Sequence, residues 1–337
     1  MSIFKEQILD LTIEKLNHEG LGVSHYNNIP IIIDNALPGE VIKIKITEIF
    51  REYAVTKNLE IITSSQFRAI PPCKYFFKCG GCRLQHFALY DEYKLSMISD
   101  ALKDMVFKDV IHSIIKIPHN SRRRANFKVK DYKLNFNKMK SNETVAISNC
   151  LLLDNQINDL IVPINDLLKK IRLNVTALNI TSSDTGIELL FFCDKNLDLE
   201  HCSILSNFAI KFDIARIAWQ IKKASPYSII QRKPVQIVFN NIAIDLPINS
   251  FLQVSKQSSI LMSEIILSHL DDSKILELYC GCGSFTIPMS LKASVYAVEG
   301  NDLAINSLIS AAKKYKLPIK TLVQDLYQNP VSYDLTA

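Results

Sequence analysis

Lys274-Ile275-Leu276-Glu277-Leu278-Tyr279-Cys280-Gly281-Cys282-Gly283-Ser284-Phe285 reads as a short apolar strand that runs straight into a Gly-x-Gly turn. Glycines at such a turn let a ligand approach the backbone, and open α/β sheets bind ligands at the carboxyl ends of their parallel strands. Gly281 and Gly283 are therefore candidate ligand-binding positions. A dinucleotide fingerprint needs a third glycine at position 286, where this chain has Thr286, so the pyrophosphate reading is weak. Downstream, residues 294–298 and 319–323 read as two further strands. Between them Ile305, Leu308, Ile309 and Ala312 stripe a helix at i, i+3, i+4, i+7. Asp302 stands near its start, where a negative charge suits the helix dipole. Upstream, Met262, Ile266 and Leu270 share one helix face. Strands alternating with helices predict parallel pairing, hence an α/β doubly wound, Rossmann-like domain over residues 246–337.

Two carboxylates sharpen the ligand. Glu299 ends the second strand, sixteen residues past Gly283, and Asp325 ends the third. A carboxylate at the first place can accept both ribose hydroxyls of an adenosyl ligand, and one at the second can meet the adenine edge. A glycine loop followed by two strand-end acids suits S-adenosylmethionine. The plainer alternative is a tight turn with two unrelated acids.

The 337 residues are enough for two or three domains. With 48% apolar and 22% charged residues the chain is neither disordered nor fibrous. No apolar run approaches the roughly 20 residues that span a bilayer, so no membrane partner is expected. The start, Met1-Ser2-Ile3-Phe4-Lys5-Glu6, lacks a signal peptide's basic and apolar regions. A cytoplasmic location is expected, and eight cysteines in a reducing compartment point to metal before disulfides.

Residues 8–62 read as about five short strands separated by His18-Glu19-Gly20, Tyr26-Asn27-Asn28 and Leu37-Pro38-Gly39-Glu40. So many strands in so few residues predict a small closed β-barrel, OB-like, over residues 1–64. Residues 65–245 read as an α+β domain. It opens on a cysteine-rich loop and a helix over 91–107, and continues as an antiparallel sheet with helices.

Cys73, Cys79 and Cys82 form a C-x5-C-x2-C loop with Gly80-Gly81 inside it. Three thiols this close point inward around a shared ion or cluster, one ligand short of the usual four. Cys150 is the natural fourth. Cys193 and Cys202 compete with it, and His86 is a weaker candidate that would favour zinc. Spacing alone leaves zinc and iron–sulfur both open.

The chain's net charge of +5 is unevenly spread: residues 71–150 carry 15 basic against 7 acidic side chains, and the remainder is near neutral. That segment holds Arg122, Arg123, Arg124, Lys128, Lys130 and Lys133, interleaved with Tyr75, Phe76, Phe77 and Phe127. Guanidinium forks pair with phosphate and aromatics stack on unpaired bases, so RNA is the expected partner.

Together these stretches resemble the TRAM-domain, iron–sulfur RNA uracil-5 methyltransferases. His18-Glu19-Gly20-Leu21-Gly22 and Leu37-Pro38-Gly39-Glu40 look like the TRAM signature. Pro72-Cys73, Cys79-Gly80-Gly81-Cys82 and Leu84-Gln85-His86 look like the cluster loop, with Cys150 as fourth ligand. Arg122-Arg123-Arg124-Ala125 looks like the arginine motif. Phe251-Leu252-Gln253-Val254 resembles a cofactor-contacting segment, with Ser255 where asparagine is usual. The resemblance implies a 4Fe–4S cluster on Cys73, Cys79, Cys82 and Cys150. It implies S-adenosylmethionine contacts from Gln253, Tyr279, Ser284, Glu299 and Asp325, and 23S rRNA as substrate. In that family a cysteine thiolate adds to C6 of uridine, C5 takes the methyl group, and a base removes the C5 proton.

The family's nucleophile and base segments have no counterpart before Ala337. No catalytic residue is therefore nominated, and Cys280 and Cys282 belong to the cofactor loop. The expectation is a methyltransferase domain that is incomplete and inactive alone, with a complementing C-terminal fragment as possible partner. The other reading is a non-catalytic RNA-binding protein carrying an iron–sulfur or zinc site.

Overall fold

Alternating apolar and polar residues build the first sheet of the computed structural model, which describes residues 3–104, 114–271 and 274–330. Its strands are β1 (Ile8–Thr12), β2 (Lys15–Leu16), β3 (Gly22–Tyr26), β4 (Ile29–Ile33), β5 (Val41–Ile49) and β6 (Ala54–Thr63), in the order β1-β5-β6-β4-β3-β2. The expected first strand is two strands. Between them the Ile13 N–H donates to the Glu40 carbonyl and the Glu14 N–H to the Val23 carbonyl, so the chain changes partner from β5 to β3. The two ends of the strand order are thus contiguous in the chain, and the sheet closes through its own backbone. Leu11, Ile31, Ile33, Ile42, Ile44 and Ile46 fill the inside.

The described residues form two compact units, one within Met1–Lys116 and Lys138–Ser141, the other within Ile117–Asn137 and Asn142–Ala337. The cysteine loop and the helix after it, α1 (Tyr90–Leu102), stay with the barrel. Arg68 donates to both carboxylate oxygens of the fully buried Glu40, at 2.5 and 2.7 Å. The Tyr93 hydroxyl donates to the Asn17 carbonyl. Part of the helix expected over 91–107 lies outside the described residues.

The second unit opens on a seven-stranded sheet. Its strands are β7 (Arg124–Lys130), β8 (Lys133–Asn137), β9 (Thr144–Ala146), β10 (Val175–Ser182), β11 (Ile187–Cys193), β12 (Ile214–Ile221) and β13 (Tyr227–Gln231), in the order β13-β12-β11-β10-β7-β8-β9. The sheet is mixed, not wholly antiparallel: β11 and β12 pair parallel, because α3 (Leu199–Lys211) carries the chain back between them. Helix α2 (Asn155–Ile171) is capped by Asp154 and buries Ile157, Leu160, Ile161, Ile164, Leu167, Leu168 and Ile171, a helix-period stripe.

A hairpin of β14 (Gln236–Phe239) and β15 (Ile242–Asp245) follows, then α4 (Lys256–Ser268), β16 (Ile275–Leu278), α5 (Thr286–Ser290), β17 (Val295–Glu299), α6 (Asp302–Tyr315) and β18 (Ile319–Val323). β16, β17 and β18 pair in parallel in that order, as expected. The hairpin's Ile237 and Ile244 share one core with Leu252, Cys280, Cys282, Ile305 and Leu308. On α4 the buried side chains are Ser259 and Ser263, while Met262 is exposed. Ile266 and Leu270 of the expected face pack on that core, and Met262 is the member that stays outside it.

Candidate cofactor and RNA site

The turn after β16 is held open by three left-handed residues: Tyr279 (φ 59°), Gly281 (φ 56°) and Gly283 (φ 93°). The two glycines serve different ends. A Cβ on Gly283 would lie 2.6 Å from Leu308 Cδ1, so the absent side chain lets α6 pack on the loop. A Cβ on Gly281 would meet nothing within 4 Å, so that backbone faces open space. Glu299, at the carboxyl end of β17, accepts the Gly281 N–H on Oε2 and the Asn301 N–H on Oε1, each at 2.9 Å. Its carboxylate therefore stands beside the open backbone of the loop. Asp325 follows the end of β18, exposed, with Oδ1 accepting the Tyr327 and Gln328 N–H groups. Gly300 lies against it, since a Cβ there would be 3.5 Å from Asp325 Cα. Tyr279 is exposed and Ser284 is half-buried. A glycine edge with open space and carboxylate acceptors beside it fits an adenosyl ligand.

Beneath the loop, Glu277 was not foreseen as functional. Burial pushes its carboxyl up to about 7, against the hydrogen bond that Thr286 Oγ1 donates to it. Burial also pushes the Cys280 thiol up to about 12, helped by the nearby Glu277 and Glu299 charges, and raises Cys282. Both sulfurs are therefore protonated at neutral pH, in keeping with their role as core residues.

The segment carrying Gln253 meets this loop from the other side. Leu252 is fully buried in the same core as Cys280 and Cys282, and Ser250 hydrogen-bonds the Cys282 thiol. Gln253 is half-buried and Phe251 exposed.

The basic motif divides. Arg122 is exposed, its Nε donating to the Arg124 carbonyl. Arg123 is 5% exposed and donates through Nε to the Gln253 carbonyl at 2.9 Å; Arg124, half-buried, donates through Nη1 to the Leu252 carbonyl at 3.1 Å. Burial lowers the pKa of both guanidiniums. Both guanidiniums thus face protein carbonyls, Gln253 for Arg123 and Leu252 for Arg124. Phe127 and Phe76 are core residues too, Phe127 stacking on Phe136 at 4.8 Å. The exposed groups that remain on this sheet are Lys128, Lys130 and Lys133, with Tyr132 in the turn that joins β7 to β8. Tyr132 went unnoticed in the sequence. The signal was Asp131-Tyr132 between two alternating runs, both residues taking positive φ as a two-residue hairpin turn demands.

The TRAM domain pattern matches residues 5–55, the strands of the closed barrel. An uncharacterized RNA methyltransferase of Mesorhizobium japonicum is 29% identical over 96% of this chain and 78% of its own length. The 23S rRNA (uracil(1939)-C(5))-methyltransferase RlmD of Photobacterium profundum is 26% identical over 97% of this chain and 76% of its own. The chain thus carries a TRAM domain and is similar over nearly its whole length to RNA methyltransferases, RNA uracil-5 methyltransferases among them. The tRNA (uracil-54, C5)-methyltransferase of Pyrococcus abyssi, solved with S-adenosyl-L-homocysteine, superposes with a TM-score of 0.76 at 19% identity. The match covers 96% of this chain and 80% of that one, so the fold is shared throughout. The expectations of inactivity and of a complementing fragment gain no support from matches that run over nearly the whole chain.

The implied 4Fe–4S cluster is not shown by the described residues. Cys73, Cys79, Cys82 and Cys150 are all half-buried and in no disulfide. The first three lie in the first unit and Cys150 in the second. The loop curls around one sulfur, the Gly81 N–H donating to Cys79 Sγ at 3.4 Å. Among the described residues no group of three or more His, Cys, Asp or Glu side chains is placed to hold a metal ion. His86 is buried with neither ring nitrogen hydrogen-bonded, and burial, aided by the Arg68 charge, brings it down to about 4, neutral at pH 7. Among the described residues no helix is long and apolar enough to cross a membrane.

Proposed function

We propose that this chain binds S-adenosylmethionine over the 279–285 loop and serves methylation of uridine at C5 in ribosomal RNA, with no described residue assigned as the thiolate that adds to C6. The observation that carries the cofactor reading is the Glu299 carboxylate set beside the open backbone of Gly281. S-Adenosylmethionine supplies an electrophilic methyl group. Glu299 would accept the ribose hydroxyls and Asp325 the adenine edge, with Gln253, Tyr279 and Ser284 as further contacts. The uridine and 23S rRNA reading is supported by the names of the relatives. Exposed Lys128, Lys130 and Lys133, with Arg122, would neutralise phosphates.

C5 of uridine becomes nucleophilic only after addition at C6, which needs a thiolate. Cys280 and Cys282 do not suit that role, since buried thiols held protonated neither attack nor reach the solvent side. Their work is to pack the loop.

Two measurements test the proposal. Calorimetric titration with S-adenosylhomocysteine should give one site per chain, weakened at least tenfold by Glu299→Ala. Tritium transfer from labelled S-adenosylmethionine to unmodified rRNA should yield 5-methyluridine. RNA binding without any cofactor binding would replace the enzyme reading with a non-catalytic RNA-binding module.

A further inference from the structure

The connector between the hairpin and α4, residues 246–254, has no strand or helix of its own, yet it carries Leu252 and Gln253 to the cofactor loop. Its shape must come from outside, and buried charges of the seven-stranded sheet supply it. Arg216, paired with Glu188, donates through Nη2 to the Leu246 carbonyl at 2.8 Å. Glu188 Oε1 accepts the Asn249 N–H at 3.3 Å. Three successive carbonyls then meet Arg124 and Arg123: Leu252 takes Arg124 Nη1, Gln253 takes Arg123 Nε, and Val254 takes the Arg123 backbone N–H at 2.7 Å. The Arg124 guanidinium also lies over the Phe251 ring, 5.6 Å from its centroid.

We propose that Arg123 and Arg124 act as a paired guanidinium strut that sets residues 251–254 against the 279–285 loop, making them positioning residues for S-adenosylmethionine rather than RNA contacts. The proposal rests on the cofactor reading above. Arginine is rarely buried without a compensating role. Here Arg123 Nη2 is buried with no hydrogen-bond partner among the described residues, so the side chain is kept despite an unmet donor. What it secures is the path of Gln253. A planar fork holds a carbonyl and stacks on an aromatic face at once, which lysine cannot do equally well. Arg124 opens β7, paired on β10, and the Arg123 carbonyl just before it accepts the Ser182 N–H, so the strut is anchored in a central strand.

The test compares the full chain with Arg124→Ala and Arg124→Lys. Calorimetry with S-adenosylhomocysteine reads affinity and stoichiometry; RNA binding across a salt series reads phosphate contacts. The expected result is an Arg124→Ala affinity at least tenfold weaker with one site retained, and an unchanged salt slope. Arg124→Lys should recover to within about threefold of the unaltered chain. Should Arg124→Ala fail to fold, Phe251→Ala removes the stacking partner from an exposed position and should weaken S-adenosylhomocysteine at least threefold. Affinity within twofold of the unaltered chain overturns the strut, as does a salt slope reduced by about 1 with cofactor binding intact. If the unaltered chain itself binds no S-adenosylhomocysteine, the cofactor reading fails instead, and the two failures are told apart by that control.

Discussion

Glu277 couples the cofactor loop to pH. Its carboxyl is raised from the ordinary 4.5 to about 7 in the folded chain, mainly by burial. A raised acid contributes fully below its unfolded value and loses that contribution as pH climbs through the folded one. Stability should therefore fall between about pH 4.5 and 7, by on the order of 3 kcal/mol from this group. Glu277→Gln keeps the acceptor for Thr286 and should flatten that dependence in urea unfolding followed across the range. An unchanged pH profile in the variant would assign the slope to another group. Glu40 behaves oppositely. Burial raises its pKa, but the Arg68 hydrogen bonds and charge, with the Leu37 N–H, bring it below the ordinary value. Its contribution is present above pH 4.5 and is lost as pH falls through the lowered pKa. Arg68→Ala leaves a buried carboxylate without its partner and should cost about 3–5 kcal/mol. A loss under 0.5 kcal/mol, of the size surface changes usually give, would mean the pair is not a clasp. Neither behaviour was legible beforehand. Glu277 looked like one more polar residue of a strand, and Glu40 like part of a turn signature.

The cofactor loop separates the two uses of glycine. Gly283→Ala meets both a positive φ and Leu308 Cδ1 at 2.6 Å, so its cost should reach about 3 kcal/mol. Gly281→Ala meets only the backbone penalty of about 1–2 kcal/mol, but sets a methyl where the backbone is open. Thermal unfolding should thus penalise Gly283→Ala more, while loss of S-adenosylhomocysteine affinity relative to stability should be greater for Gly281→Ala. The reverse ranking would exchange the two assignments. The strand, the turn and both strand-end acids were readable here because period and spacing are local. The α4 face was legible in part: Ile266 and Leu270 pack on the core, while Met262 is exposed and Ser259 and Ser263 lie inward.

Across the whole chain, the excess charge lies partly on exposed lysines and partly on buried arginines. Replacing Lys128, Lys130 and Lys133 by Ala should lower the log–log salt slope of RNA binding by about 2, at ~0.7 for each phosphate of a single strand no longer neutralised. An unchanged slope would move the RNA-binding surface elsewhere on the chain. The TRAM barrel, the parallel order of β16, β17 and β18, the glycine loop and its acids are all written in short-range pattern: alternation, helix period, and turn residues at fixed offsets. Composition likewise announced an excess of positive charge. Where that charge points is a different matter. Arg123 and Arg124 reach carbonyls 130 and 128 residues further along the chain, and Glu188 finds Arg216 across a parallel pair. The mixed sheet and the division into units depend on the same long-range pairing. Local pattern chose the elements and the ligand-facing turn. Burial, which is settled only when distant segments pack, decided which arginines meet solvent and which hold the protein together.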